Sequence, residues 1–149
     1  MSLKQNIYSH CLLIINQKIE ELNSALANAT ESANNETKSS AGDKHETARA
    51  MMQLEQEKLG NQLKELQEQK SELEKIDASK TPVQIAKGTL IQSDKGFLFL
   101  SIGLGKIVAD KKTVFAISPQ SPLGMKLIGK KENDIVEMNG VKYTIEKLF

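Results

Sequence analysis

A chain of 149 residues, 26% charged and 39% apolar, is long enough for one ordinary domain or two small units and has the make-up of a soluble protein. Apolar runs such as Leu12-Leu13-Ile14-Ile15 fall far short of the ~20 residues of a membrane span, and no basic segment followed by a long apolar core marks a secretion signal. Net charge is +1, but residues 1–80 carry ten Lys/Arg against thirteen Asp/Glu, while residues 81–149 carry ten Lys against six. That asymmetry suggests halves that meet different surfaces. Arg49 is the only arginine, so direct base reading is poorly supported.

Residues 4–77 contain no proline and are dominated by Glu, Gln, Lys, Leu and Ala. In the first part, Tyr8, Leu12, Ile15, Ile19, Leu22, Leu26, Ala29 and Ala33 alternate steps of four and three. This spacing keeps one narrow stripe apolar, as a coiled-coil seam requires. Cys11 lies beside the stripe and is read as packing; a lone cysteine makes no intrachain disulfide and fits a reducing cytoplasm, the expected compartment. From Ala27 to Ser40 small polar side chains compete for backbone hydrogen bonds. The first helix is expected to end in this stretch, with a turn at Ala41-Gly42.

A second helix is predicted from about Asp43 to Ile76. Met52, Leu59, Leu66 and Leu73 recur every seven residues, with Ala48, Leu63 and Ile76 beside them. Its length would be about 50 Å at 1.5 Å per residue. Neither helix can bury its stripe alone, so an antiparallel hairpin over residues 1–77 is expected. Two helices of a larger bundle, or a coiled coil between chains, are the alternatives.

After a linker at 78–81, residues 82–149 read as strands with turn signals. Gly88–Gln92 and Phe97–Ile102 flank Ser-Asp-Lys-Gly; Lys106–Ala109 and Thr113–Ile117 flank Asp110-Lys111-Lys112. Ile135–Met138 and Val141–Ile145 flank Asn139-Gly140, a strong hairpin signal. Pro122–Lys130 reads as a short helix with Ser121 as N-cap and Pro122 at its first position. The expected class is α+β: a helical hairpin, then an antiparallel sheet with one short helix.

Two stretches resemble a known family. Ser121-Pro122-Leu123-Gly124, continuing to Leu127-Ile128-Gly129-Lys130-Lys131 and Asp134-Ile135-Val136, is similar to a hallmark of the C-terminal domain of Gre transcript-cleavage factors, as is Tyr143-Thr144-Ile145 near the end. Gly42-Asp43-Lys44-His45-Glu46-Thr47-Ala48 is similar to the acidic tip pattern of the same family. Helical hairpin and C-terminal domain occur in the family's order and size, so the resemblance spans nearly the whole chain.

The resemblance implies an FKBP-like C-terminal domain that docks at the rim of the RNA polymerase secondary channel, with Ser121, Pro122, Leu123, Gly124, Lys130 and Lys131 as docking residues. It implies a monomer whose hairpin tip reaches the polymerase active site. There Asp43 and Glu46 would help hold a second Mg²⁺, shared with polymerase, and an attacking water, so that polymerase cleaves the 3′ end of backtracked RNA. The chain would activate another enzyme's site and would not itself be an enzyme.

The residues also allow plainer readings. Asp43-x-x-Glu46 fits a helix cap, and Ser40 with Asp43 is a rival cap one turn earlier. The family continues Asn-Ala-Glu-Tyr after the tip glutamate, whereas Thr47-Ala48-Arg49-Ala50 follows here. A channel-binding regulator without cleavage, or a coiled-coil interaction module unrelated to transcription, are therefore the competing functions. His45 and His10 have no second ligand at metal spacing and read as surface residues, and Phe97, Phe99 and Phe115 read as core.

Overall fold

The computed structural model describes the backbone of residues 2–39 and 43–149, and the side chains of residues 2–32 and 46–149. It is an α+β chain: helices α1 (Leu3–Ser39) and α2 (Asp43–Glu74) precede strands β1 (Leu90–Ser93), β2 (Gly96–Leu100), β3 (Gly105–Ala109) and β4 (Lys112–Ile117). Helix α3 (Pro122–Leu127) and strands β5 (Ile135–Met138) and β6 (Val141–Leu148) complete it. The predicted turn at Ala41-Gly42 lies outside the described residues.

Two compact units divide the chain: Met1–Leu13 with Ser71–Phe149, and Ile14–Lys70. In the second unit the predicted apolar positions are partly shielded. Ile15 and Leu59 are buried, and Ile19, Leu22, Leu26, Met52, Leu63 and Leu66 are half-buried. The Gln56 amide donates to Thr30 Oγ1 at 3.2 Å, linking α1 and α2.

The first unit begins with a reciprocal cap. The Ser2 N–H donates to Gln5 Oε1 (3.0 Å) and the Gln5 N–H to Ser2 Oγ (3.2 Å), which satisfies donors the first helical turn leaves open. The next turns bury Lys4, Ile7 and Cys11, a row beside the predicted stripe, whose own Tyr8 and Leu12 are only half-buried. Lys4 Nζ donates to the Lys80 carbonyl (2.6 Å) and to the Phe149 backbone oxygen (2.9 Å), and Asn6 Nδ2 donates to Asp110 Oδ2 (2.5 Å). The start of α1 is thereby tied to the segment after α2, to the β3–β4 turn and to Phe149, the residue that follows β6.

The six strands run in the order β3-β4-β2-β1-β6-β5. The expectation of a wholly antiparallel sheet is corrected here: β4 runs parallel to β2, with Leu98 opposite Phe115 and Leu100 opposite Ile117, so the sheet is mixed. The physical reason lies in which strand fills the place beside β2. Strand β2 is buried on both faces at Leu98, Phe99 and Leu100 and needs an apolar neighbour on each side. The run Val114-Phe115-Ala116-Ile117 of β4 meets that need better than Lys106-Ile107-Val108-Ala109 of β3. The β3–β4 hairpin therefore inserts its second strand, and β3 is left at the edge.

The turns follow their chemistry. Asp110 and Lys111 (φ 52° and 61°), and Asn139 and Gly140 (φ 52° and 78°), form two-residue links whose positive φ suits a twisted hairpin. One face of the sheet packs Ile91, Leu98, Leu100, Val136 and Ile145 with Ile85 and Leu127. Leu90, Phe99, Val114 and Ala116, alternate to these along their strands, are equally buried. Between α2 and β1, Gly88 has φ +95° and a side chain there would lie 2.8 Å from Ile76 Cγ2, so the position admits only glycine without a shift.

Candidate functional site: the α2 start and the α3 surface

Asp43 is the first residue of α2 and Glu46 lies three residues on, within the first turn. The side chains of Asp43 and His45 lie outside the described residues. Glu46 is exposed, as is Arg49, and among the described residues no ion pair joins the two. Helical spacing of three brings positions 43 and 46 to the same side of the helix. Two carboxylates supply a minority of the six oxygens Mg²⁺ requires. By residue type the pair fits only part of a Mg²⁺ ligand set, whose remaining positions water or other oxygen ligands would fill. Among the described residues no group of three or more His, Cys, Asp or Glu is placed to hold a metal.

The Ser-Pro-Leu-Gly stretch builds the other candidate site. Ser121 Oγ accepts from the Gly124 N–H (3.1 Å) and donates to the Ser118 carbonyl (2.6 Å), so it caps α3 and closes the preceding turn at once. Ser118 Oγ accepts from the Gln120 N–H (3.1 Å) and donates to its own neighbour's amide, Gln120 Oε1 (2.7 Å). Pro122 takes the first helical position, where a missing N–H costs nothing. Gly124 is buried so tightly that a Cβ would stand 2.1 Å from the Ser118 carbonyl oxygen. Leu123 packs against the core, where Leu127 is fully buried.

Of the six predicted docking residues, the structure therefore places three in the framework of the turn and helix: Ser121, Leu123 and Gly124. Pro122, Lys130 and Lys131 are exposed. Beyond the helix, Ile85 clamps the return: its N–H donates to the Lys130 carbonyl and its carbonyl accepts from the Gly129 N–H, both at 2.8 Å. The Lys131 N–H donates to Asp134 Oδ2 at 2.9 Å.

Residues outside the predicted docking set lie on the same stretch. Met125, Ile128 and Ile135 are 64%, 45% and 62% exposed, a degree of exposure that leaves apolar area beside the lysines. Lys126 Nζ donates to the Glu137 carbonyl (2.9 Å), so its stem lies over β5. The available signal was the helical spacing itself: with Leu123 and Leu127 inward, Met125 and Ile128 must turn outward.

No family model matches the chain, and no curated protein matches it. Among the described residues, no helix is long and apolar enough to cross a membrane.

Proposed function

We propose that this chain is a Gre-like transcription factor: it docks on RNA polymerase through the α3 surface and presents the start of α2 to the polymerase active site. The observation that carries the reading is the motif running from Ser121 to Val136, in which serine, proline and glycine each meet a geometric demand at α3 and the lysines stay exposed. An FKBP-like character of the β-rich part and an antiparallel coiled coil of α1 and α2 belong to the same proposal. Support for the coiled coil comes from the Gln56–Thr30 hydrogen bond and from the Tyr8 hydroxyl, whose pKa is raised first by burial and then by the nearby Glu74 carboxylate. As the α1 position rises from 8 to 30 its α2 counterpart falls from 74 to 56, the sense that antiparallel pairing requires.

In this reading Asp43 and Glu46 would hold a Mg²⁺ jointly with polymerase, and the bound ion would lower the pKa of a water and stabilise charge at the scissile phosphate. The chain's own part is to position two carboxylates that bind the ion too weakly alone, and Met125, Ile128 and Ile135 add apolar contact to the predicted docking set. The compartment is the cytoplasm and the working form a monomer. A second reading, a channel-binding regulator without cleavage, rests on Arg49 and Ala50 standing where the family has an acid and an aromatic.

The deciding experiment is cleavage of a stalled, backtracked elongation complex with 3′-labelled RNA. Wild type is expected to release short labelled fragments, and Asp43→Asn with Glu46→Gln to release none. Competition against a genuine cleavage factor without fragments selects the second reading. Neither cleavage nor competition removes the polymerase assignment.

A further inference from the structure

The six-stranded sheet ends in two edges, β3 and β5, and they are finished differently. Residues flanking a two-residue hairpin link exchange both backbone bonds with each other, and the next residue along each strand turns its N–H and C=O outward. In β5 the pair Met138–Val141 flanks Asn139-Gly140, so Glu137 turns outward, and its carbonyl accepts from the Lys126 ammonium at 2.9 Å. In β3 the pair Ala109–Lys112 flanks Asp110-Lys111, so Val108 and Lys106 turn outward. Each offers an N–H and a C=O there. Among the described residues no strand lies beyond β3, and no group from outside the sheet bonds to the Lys106 or Val108 backbone.

The side chains along this open edge are apolar and basic. Val108 is 56% exposed, and Phe115 of β4, on the same face and directly opposite Lys106, is 41% exposed. Lys112 is turned to the other face, its ammonium 5.4 Å from the centre of the Phe97 ring. Lys106, Lys111 and Lys112 share the hairpin with a single carboxylate, Asp110, which already accepts from the Asn6 amide at 2.5 Å. Three lysines against one aspartate leave the hairpin two positive charges in excess. Among the described residues no carboxylate lies in ion-pair range of any of the three. Lysines on an edge discourage a second copy of the same strand, which would line two basic hairpins along one seam, and they favour an acidic strand.

We propose that β3 docks an extended acidic segment of a partner protein, which adds to the sheet as a further strand antiparallel to β3. Antiparallel pairing is the slightly more stable arrangement per residue. The segment's backbone bonds to Lys106 and Val108. A β-branched residue stands opposite Val108, and a carboxylate two residues later stands opposite Lys106. A second acid, two residues before the β-branched one, falls beside the turn at Lys111. Directly opposite side chains share a face, so the apolar pair also meets Phe115 and the charged pair is of opposite sign. The edge lies wholly within one compact unit and uses neither the start of α2 nor the α3 surface, so it stands or falls apart from the polymerase reading.

The probe is the peptide acetyl-Asp-Thr-Val-Thr-Glu-amide, titrated into the ¹⁵N-labelled full chain at low salt. Saturable shifts centred on residues 104–113 are expected, with slower hydrogen exchange of the Lys106 and Val108 amides. The same peptide methylated on its valine nitrogen lacks the N–H that meets the Val108 carbonyl and should lose binding. Val108→Pro removes an outward N–H at an edge position where proline is tolerated, and should abolish binding with the rest of the spectrum kept. Lys106→Glu with Lys111→Glu, both surface changes, should weaken binding about tenfold and needs no change of backbone. Absence of saturable shifts would overturn the site, as would a methylated peptide or a charge-reversed variant that binds like its parent. Concentration-dependent self-association that protects Lys106 and Val108 without peptide would give the edge to a second copy and equally overturn the proposal.

Discussion

Cys11 shows how one side chain's chemistry follows from its place. It is fully buried, and burial pushes its thiol up to about 12 from an ordinary value of 9.0. A folded value above the unfolded one means that its contribution to stability is whole below pH 9 and is lost as pH climbs toward 12. At pH 8 the thiol should therefore react with a disulfide reagent only as fast as the chain opens; prompt reaction in native buffer would contradict the burial. Gly124 is the opposite case, a residue defined by having no side chain. Gly124→Ala drives a methyl into the Ser118 carbonyl and should cost about 3 kcal/mol, read as a lowered thermal midpoint. The motif marked Gly124 in the sequence, but the burial of Cys11 was only partly legible. A heptad names a single stripe, and Lys4, Ile7 and Cys11 form a second row beside it.

At the scale of elements, local chemistry was legible wherever it acts within a few residues. Ser121 as cap, Pro122 at the first helical position and Asn139-Gly140 as a hairpin turn all follow from side-chain and backbone preferences that need no distant partner. Ser121→Ala should thus remove about 1 kcal/mol and loosen the 118–124 turn, visible in the amide shifts of Gln120 and Gly124. Pairing at longer range was not legible. The turn signals name consecutive partners, whereas β4 beside β2 is decided by which strand best covers an already buried one. The reciprocal cap of Ser2 and Gln5 was legible in principle, since serine followed three residues later by glutamine is its signature. The tip carboxylates stand differently: spacing places positions 43 and 46 on one face, and only the polymerase assay assigns them a role.

For the whole molecule, both long helices cross the boundary between the compact units, α1 at residues 13–14 and α2 at residues 70–71. Continuity of backbone need not mean uniform stability, because local opening depends on what each stretch buries. In unit Met1–Leu13 with Ser71–Phe149, the sheet buries apolar side chains on both faces and Lys4 ties the first helical turn to two distant backbone oxygens. In unit Ile14–Lys70, Ile15 and Leu59 are the buried large side chains among the described residues, and Ile19, Leu22, Leu26, Met52, Leu63 and Leu66 are half-buried. At about 25 cal/mol per Å² of apolar surface, the second unit gains far less per residue. Hydrogen exchange should accordingly show the slowest amides in β1, β2 and β6, and exchange within α1 should quicken beyond Leu13. Lys4→Met tests the tie itself. It removes the Lys4 donor from the Lys80 and Phe149 backbone oxygens, the second of which keeps the Leu90 N–H (3.2 Å), so amides of residues 3–11 and 145–149 should exchange faster while those of residues 46–66 stay as they were. A change spread evenly over both helices would mean that the chain opens as one cooperative unit and that the helical boundary has no energetic counterpart.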